Sequence, residues 1–211
     1  MKNIIQIYCI LFFLGCTKPK DDFSLPILTP GDLDPNWVDI ELKNSKDDHV
    51  IPNFSFKNQN GIEITEKNIL NKISVANYFF TTCPSICPVL TKNMKRVQEA
   101  FLNDEGVKIL SFTVHPEHDT PEVLNAYADL YDVNSTIWNL LTGDKHEIYK
   151  MARRGHFAVT EGGLESTDVL IHTENFVLVD TKLRIRGIYN GTNPHDVNRL
   201  IEDIVFLKNE I

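Results

Sequence analysis

Cys83 and Cys87, in the run Phe79-Phe80-Thr81-Thr82-Cys83-Pro84-Ser85-Ile86-Cys87-Pro88, are the residues of this 211-residue chain with the most chemistry open to them. A thiolate can be a nucleophile, a redox partner or a soft metal ligand. The pair follows an apolar, β-branched and aromatic stretch, 73–80, that reads as a buried strand. It precedes Ile86, Val89, Leu90, Met94, Val97 and Phe101, whose spacing predicts an amphipathic helix over 84–103. Residues four apart on a helix share a face with β-carbons about 5–6 Å apart. Two thiols so placed can clasp one metal ion or, with adjustment, close a disulfide. A helix N-terminus favours negative charge and lowers a thiol pKa, which supplies the thiolate that both chemistries need.

The elements that must position the pair can be read in order. Phe54-Ser55-Phe56 and Ile62-Glu63-Ile64 flank Asn58-Gln59-Asn60-Gly61, a hairpin signature. After the cysteine-bearing helix a second apolar run, 107–114, completes a strand–helix–strand unit with parallel strands. Thr120-Pro121 opens a helix to Tyr131, Trp138 to Thr142 is a short strand, and Asp144 caps a helix reaching Arg154. Strands over 176–180 and 183–189 are joined by a tight turn, and a closing helix covers 194–208. This order predicts an α/β chain of thioredoxin-like fold, a central mixed sheet flanked by helices. The site is expected at the carboxyl end of the first parallel strand, where Cys83 falls.

Two features separate the site from a thioredoxin-type redox centre. Its spacing is Cys-x-x-x-Cys rather than Cys-x-x-Cys, and no proline stands before strand 176–180, where His172 is found instead. Two thiolates and an imidazole suit copper, sulfur favouring Cu(I) and nitrogen helping to accommodate Cu(II). The same set can hold zinc in an open tetrahedral site. Asp168 and Glu174 flank His172 and are candidates to orient its ring. His115 and His118 read as surface loop residues near the same sheet edge. His49, His146, His156 and His195 show no ligand spacing and read as surface or capping residues, and Trp138 reads as core.

The N-terminus narrows the setting. Met1-Lys2-Asn3, an apolar segment to Leu14 and Leu14-Gly15-Cys16 resemble a bacterial lipoprotein signal cut before Cys16, which would then carry lipid. The apolar segment of about 11 residues falls short of the roughly 20 that span a bilayer. Residues 1–15 are thus expected to be a signal, 16–48 a proline-bearing tether and 49–211 the domain. Cys9 leaves with the signal and Cys16 is lipidated, so only Cys83 and Cys87 remain, to be oxidised, kept reduced or metallated. The expected location is the bacterial cell envelope, exported and membrane-anchored. Net charge is −8 and the basic residues form no run beyond Arg153-Arg154, which excludes an electrostatic footprint for nucleic acid.

Four motifs occur in a telling order: the Cys83–Cys87 run, then Val114-His115-Pro116-Glu117-His118-Asp119-Thr120-Pro121, Trp138-Asn139-Leu140-Leu141-Thr142-Gly143, and His172-Thr173-Glu174-Asn175-Phe176-Val177-Leu178-Val179-Asp180. Over about residues 50–208 the chain resembles the Sco/SenC family of copper proteins. That resemblance implies a membrane-tethered metallochaperone with a thioredoxin-like fold, passing one copper to the CuA-bearing subunit of cytochrome c oxidase from an unspecified donor. It carries the family's copper ligands onto Cys83, Cys87 and His172. The chain departs from the family in one segment, where His115 replaces a common aspartate and His118 a common arginine; His115 is thereby a candidate auxiliary ligand. A thiol-disulfide oxidoreductase working through Cys83 and Cys87 is the alternative, and a peroxidase a distant third.

Overall fold

The computed structural model describes residues 24–33, 49–158 and 173–210. Seven strands form one sheet: β1 Ser55–Asn58, β2 Glu63–Thr65, β3 Ile73–Phe79, β4 Val107–Thr113, β5 Trp138–Thr142, β6 Asn175–Val179 and β7 Ile185–Asn190. Their spatial order is β2-β1-β5-β4-β3-β6-β7. The three central strands are parallel, with Ile73 opposite Val107 and Ile109 opposite Trp138. The outer pairs are antiparallel. Every residue of β3 and β5 is buried. Strands at the centre of a parallel sheet are covered on both faces, which is why their sequences are nearly continuous apolar runs.

Among the described residues four α-helices flank the sheet: α1 Cys87–Ala100, α2 Pro121–Tyr131, α3 Lys145–Lys150 and α4 Pro194–Asn209. Helix α1 buries Leu90, Met94 and Val97, and α4 buries Val197, Leu200, Ile204 and Leu207, in each case one stripe at helical spacing. The caps read from the sequence are present: Thr120 accepts from Val123 N at 3.5 Å and Asp144 from Glu147 N at 3.0 Å. Helix α3 runs on as a π-helical turn, Met151–Gly155.

Three differences from the sequence expectations follow from local chemistry. Helix α1 starts at Cys87 rather than residue 84, because Pro88 takes the first-turn position that a missing N–H permits. Pro84 and Ser85 are left in a bend. Strand β7 starts at Ile185 rather than 183, because Leu183 has a left-handed φ of 63° in a turn held by the Asp180 carboxylate, which accepts from Lys182 N and Arg184 N. Residues 24–33, read as tether, lie against the domain. Leu25 is buried, Leu28 N donates to Ile185 O at 2.8 Å, and Arg186 donates to the carbonyls of Leu25 and Pro26. A proline-bearing segment has few N–H groups to satisfy, and one arginine takes two of its carbonyls.

Candidate functional site

The sheet carries both cysteines to one end. Strand β3 ends at Phe79, the chain turns through 80–86, and Cys87 opens α1. Cys83 therefore lies in the turn, its N–H donating to Phe80 O at 3.3 Å, and does not share a helical face with Cys87 as the spacing suggested. The two thiols are nevertheless carried to the same end of the sheet, unbridged, and 7% and 4% exposed.

Their environments push them apart. Burial opposes ionisation of Cys83, but hydrogen bonds from the Cys87 side chain and backbone N–H, and from Ser85, outweigh it and bring the thiol below its ordinary value. For Cys87, burial and the hydrogen bond to Cys83 push the thiol up to about 12, with the charge of Asp119 acting in the same direction against a backbone hydrogen bond from Phe80. Cys83 is thus the first to ionise, with Cys87 as the donor that steadies its sulfur.

Beneath the turn sits Asp119, named above only as one member of a motif. It is fully buried and accepts from Thr81 N at 3.0 Å, Thr81 Oγ1 at 2.5 Å, Thr113 Oγ1 at 2.5 Å and His118 Nδ1 at 2.8 Å. It ties the end of β4 to the turn that carries Cys83. An acid one residue before a helix cap ordinarily reads as surface; the available signal was the threonines at the ends of two adjacent parallel strands.

The remaining expectations divide. His115 and His118 do stand at this end of the sheet, stacked with ring centroids 5.5 Å apart. Glu174, a candidate to orient His172, accepts from Asn190 Nδ2 at 2.7 Å. His172, Asp168, Cys16 and the signal lie outside the described residues. Strand β6 runs antiparallel to β3 with Val177 opposite Ala76, so it starts at the end of the sheet where β3 finishes. Among the described residues no three His, Cys, Asp or Glu side chains are grouped to hold a metal ion. His146 and His195 are exposed as expected. His156 corrects its reading: it is buried, 2.7 Å from Tyr78 Oη, and burial pushes its pKa down to about 3. A cavity of about 710 Å³ bordered by Phe54, Phe56 and Met151 includes neither thiol.

The sequence model of the SCO1/SenC family matches residues 42–207. A SCO1 protein homolog of Bacillus subtilis is 30% identical over 166 residues, covering 78% of this chain and 85% of that protein. The mitochondrial SCO1 homolog 1 of Arabidopsis thaliana is 29% identical over 157 residues, 72% of this chain and 45% of its own length. Among solved structures, a SCO1/SenC family lipoprotein from Bacillus anthracis is similar at a TM-score of 0.67 and 29% identity, over 76% of this chain and 95% of that one. BsSco, a member of the Sco family of cytochrome c oxidase assembly proteins in which a disulfide switch was identified, gives 0.66 and 29%, over 76% and 94%. Arabidopsis thaliana ScoI with copper bound gives 0.59 and 25%, over 77% and 99%. The thioredoxin-like fold expected from the sequence is the fold that the chain has.

Proposed function

Because the chain belongs to the SCO1/SenC family, we propose that it binds one copper ion as cargo through Cys83, Cys87 and His172 and serves assembly of the CuA site of cytochrome c oxidase. The observation that carries this reading is the unbridged, unequal thiol pair at the end of β3. Both sulfurs are carried to the same end of the sheet, and each alters the ionisation of the other. Cys83 offers its thiolate first. Cys87 gives up its proton only when a cation replaces it, so loading releases protons and becomes tighter as pH rises. The buried Asp119 charge, which holds the Cys87 proton on in the free chain, favours an incoming cation. His172 supplies the nitrogen donor, three residues before a strand that starts at this end of the sheet. A similar protein with copper bound supports the choice of ion.

The same thiols favour a second reading. Cys83 as thiolate attacks a partner disulfide, and Cys87 then displaces the partner from the mixed disulfide. Two electrons pass to the partner, and Cys83 and Cys87 are left bridged. Metal binding requires both thiols reduced, so one site can serve both roles in turn. Export and lipidation at Cys16 belong to this proposal too, supported by the lipoprotein among the similar structures. Among the described residues no helix is long and apolar enough to cross a membrane. Replacing Cys16 by serine is expected to abolish lipid labelling and leave copper binding unchanged.

The deciding experiment is copper titration of the reduced chain. Cu(II) should give intense sulfur-to-copper charge-transfer absorption that vanishes in Cys83→Ser and in Cys87→Ser. His172→Ala should weaken Cu(II) far more than Cu(I), which two thiolates hold unaided. Full stoichiometry and spectrum in both serine variants would overturn the site.

A further inference from the structure

The turn between β4 and α2 holds two imidazoles that the thiolate site does not use. His115 and His118 are stacked, their planes 15° apart. His118 Nδ1 lies 2.8 Å from Oδ1 of Asp119, and that carboxylate is already fixed by Thr81 and Thr113. An ionised carboxylate only accepts, so in the neutral ring Nδ1 is the donor and Nε2 carries the lone pair. The His118 side chain is 44% exposed. An imidazole held by a carboxylate at one nitrogen, with the other free, is the usual arrangement of a metal-ligating histidine.

His115 adds an independent sign. Its Nδ1 is buried and has no hydrogen-bond partner, one of few such atoms among the described residues. A buried polar atom left without a partner calls for an explanation, and an ion is one. The backbone N–H of His115 is held by Thr113 Oγ1 at 3.1 Å, and Thr81, two residues before Cys83, reaches both Asp119 and His118. The histidine turn and the cysteine turn are thus parts of one hydrogen-bonded assembly.

We propose that His115 and His118 form a second, nitrogen-donor copper site beside the thiol pair, selective for Cu(II). Imidazole suits Cu(II) and thiolate suits Cu(I), so the two donor sets differ in the oxidation state they prefer. No third His, Cys, Asp or Glu among the described residues joins the pair. Water fills the remaining positions, and the ion exchanges readily. The inference rests on copper being the ion this chain handles, but it is tested without the thiols.

The test uses the full chain in detergent with Cys9, Cys16, Cys83 and Cys87 replaced by serine and His172 by alanine, titrated with Cu(II) and followed by electron paramagnetic resonance. One bound Cu(II) with hyperfine splitting from two ring nitrogens is expected. Affinity should fall at least tenfold in His115→Ala and in His118→Ala, and stay unchanged in the exposed control His146→Ala. His118→Asn retains a donor to Asp119 while removing the outward lone pair; it should lose the ion yet keep the circular dichroism of the folded chain. Absence of a bound Cu(II), or a signal that survives both alanine changes, overturns the proposal. Either result leaves the thiolate site to be judged by its own charge-transfer band in the unmodified chain.

Discussion

Two buried aspartates stand at opposite ends of the sheet and are held in different ways. Asp180, at the turn between β6 and β7, faces two arginines: Arg184 Nε and Nη2 at 2.9 and 2.7 Å, and Arg186 Nη1 at 3.1 Å. Arg186 goes on to the carbonyls of Leu25 and Pro26 and to Glu210 Oε2 at 2.9 Å. Asp119, at the cysteine end, meets hydroxyls, one N–H and a histidine. One carboxylate is neutralised by fixed charge. The other is saturated with hydrogen bonds and keeps a negative charge beside two thiols. Charge pairing makes the first end a fastening, whereas the second is a rigid mount that sets a carboxylate beside two thiols.

The largest effect should come from unfastening the first end. Arg186→Ala leaves Asp180, Glu210 and two carbonyls without their shared partner, and breaking a buried charge network of this kind costs about 3–5 kcal/mol. Urea denaturation should show that loss, with faster proteolysis near Leu25, while alkylation of Cys83 keeps its rate. Equal damage at the thiols would show that the two ends are not separable. The sign with pH is also set. Burial works against ionised Asp180, but its hydrogen bonds to Arg184 and Arg186 outweigh it and depress its pKa. Its stabilisation is present above the ordinary carboxylate range, near pH 4, and is lost as pH falls through the lowered value.

His156, packed under β3 against Tyr78 and Phe112, gives the next largest effect. Its folded pKa, about 3, lies below the unfolded 6.5, so the unfolded chain binds its proton first and stability falls as pH drops from 7. The difference amounts to about 2 kcal/mol between pH 7 and pH 5. Urea midpoints at the two pH values should differ accordingly, and His156→Gln should remove most of that difference. An unchanged slope in the variant would assign the acid sensitivity to other groups.

What could be read in the chain beforehand follows from the range of the interactions. The β3, β5 and α1 segments announce themselves because burial on both faces, or on one helical stripe, is written into adjacent residues. Cys83 and Cys87 stand out as a pair by their spacing, although that spacing implies a helix starting one turn before Cys87. Asp119, His156 and Arg186 were not legible. Each owes its role to partners distant in sequence, Thr81 for Asp119, Tyr78 for His156 and Leu25 for Arg186. An isolated polar residue looks the same in a loop and in a core until its partner is known. Residues 24–33 misled for the reverse reason, since prolines and charges suggest a free leash whether or not an arginine is waiting for their carbonyls.

Asp119→Asn sharpens the contrast between the ends. The amide keeps the shape of the carboxylate but must match Thr81 N, two hydroxyls and His118 Nδ1 with one acceptor oxygen, a loss of about 1–2 kcal/mol. Unlike Arg186→Ala it should alter the thiols, because the charge that helps hold the Cys87 proton is gone. Iodoacetamide labelling followed by peptide mass spectrometry should then show Cys87 reacting at lower pH than in the unmodified chain. A smaller stability change with a larger thiol change is the pattern expected of a functional mount. The opposite ranking would make Asp119 a second fastening.

The smallest effect tests how Cys83 is activated. Its pKa is lowered by hydrogen bonds from the Cys87 side chain and N–H and from the Ser85 N–H, and least by Ser85 Oγ, which lies 3.9 Å from the sulfur. A hydrogen bond to sulfur of that length is weak, and the turn presents the backbone donors whether or not the hydroxyl is there. Ser85→Ala should therefore raise the Cys83 pKa only slightly and slow its alkylation at pH 7 by about twofold, since rate follows the thiolate fraction. Cys87→Ala removes the first of the favourable contacts and should slow it more. If Ser85→Ala proved the more damaging change, activation would rest on the serine hydroxyl, and the unequal thiol pair would lose its place as the source of the reactive sulfur.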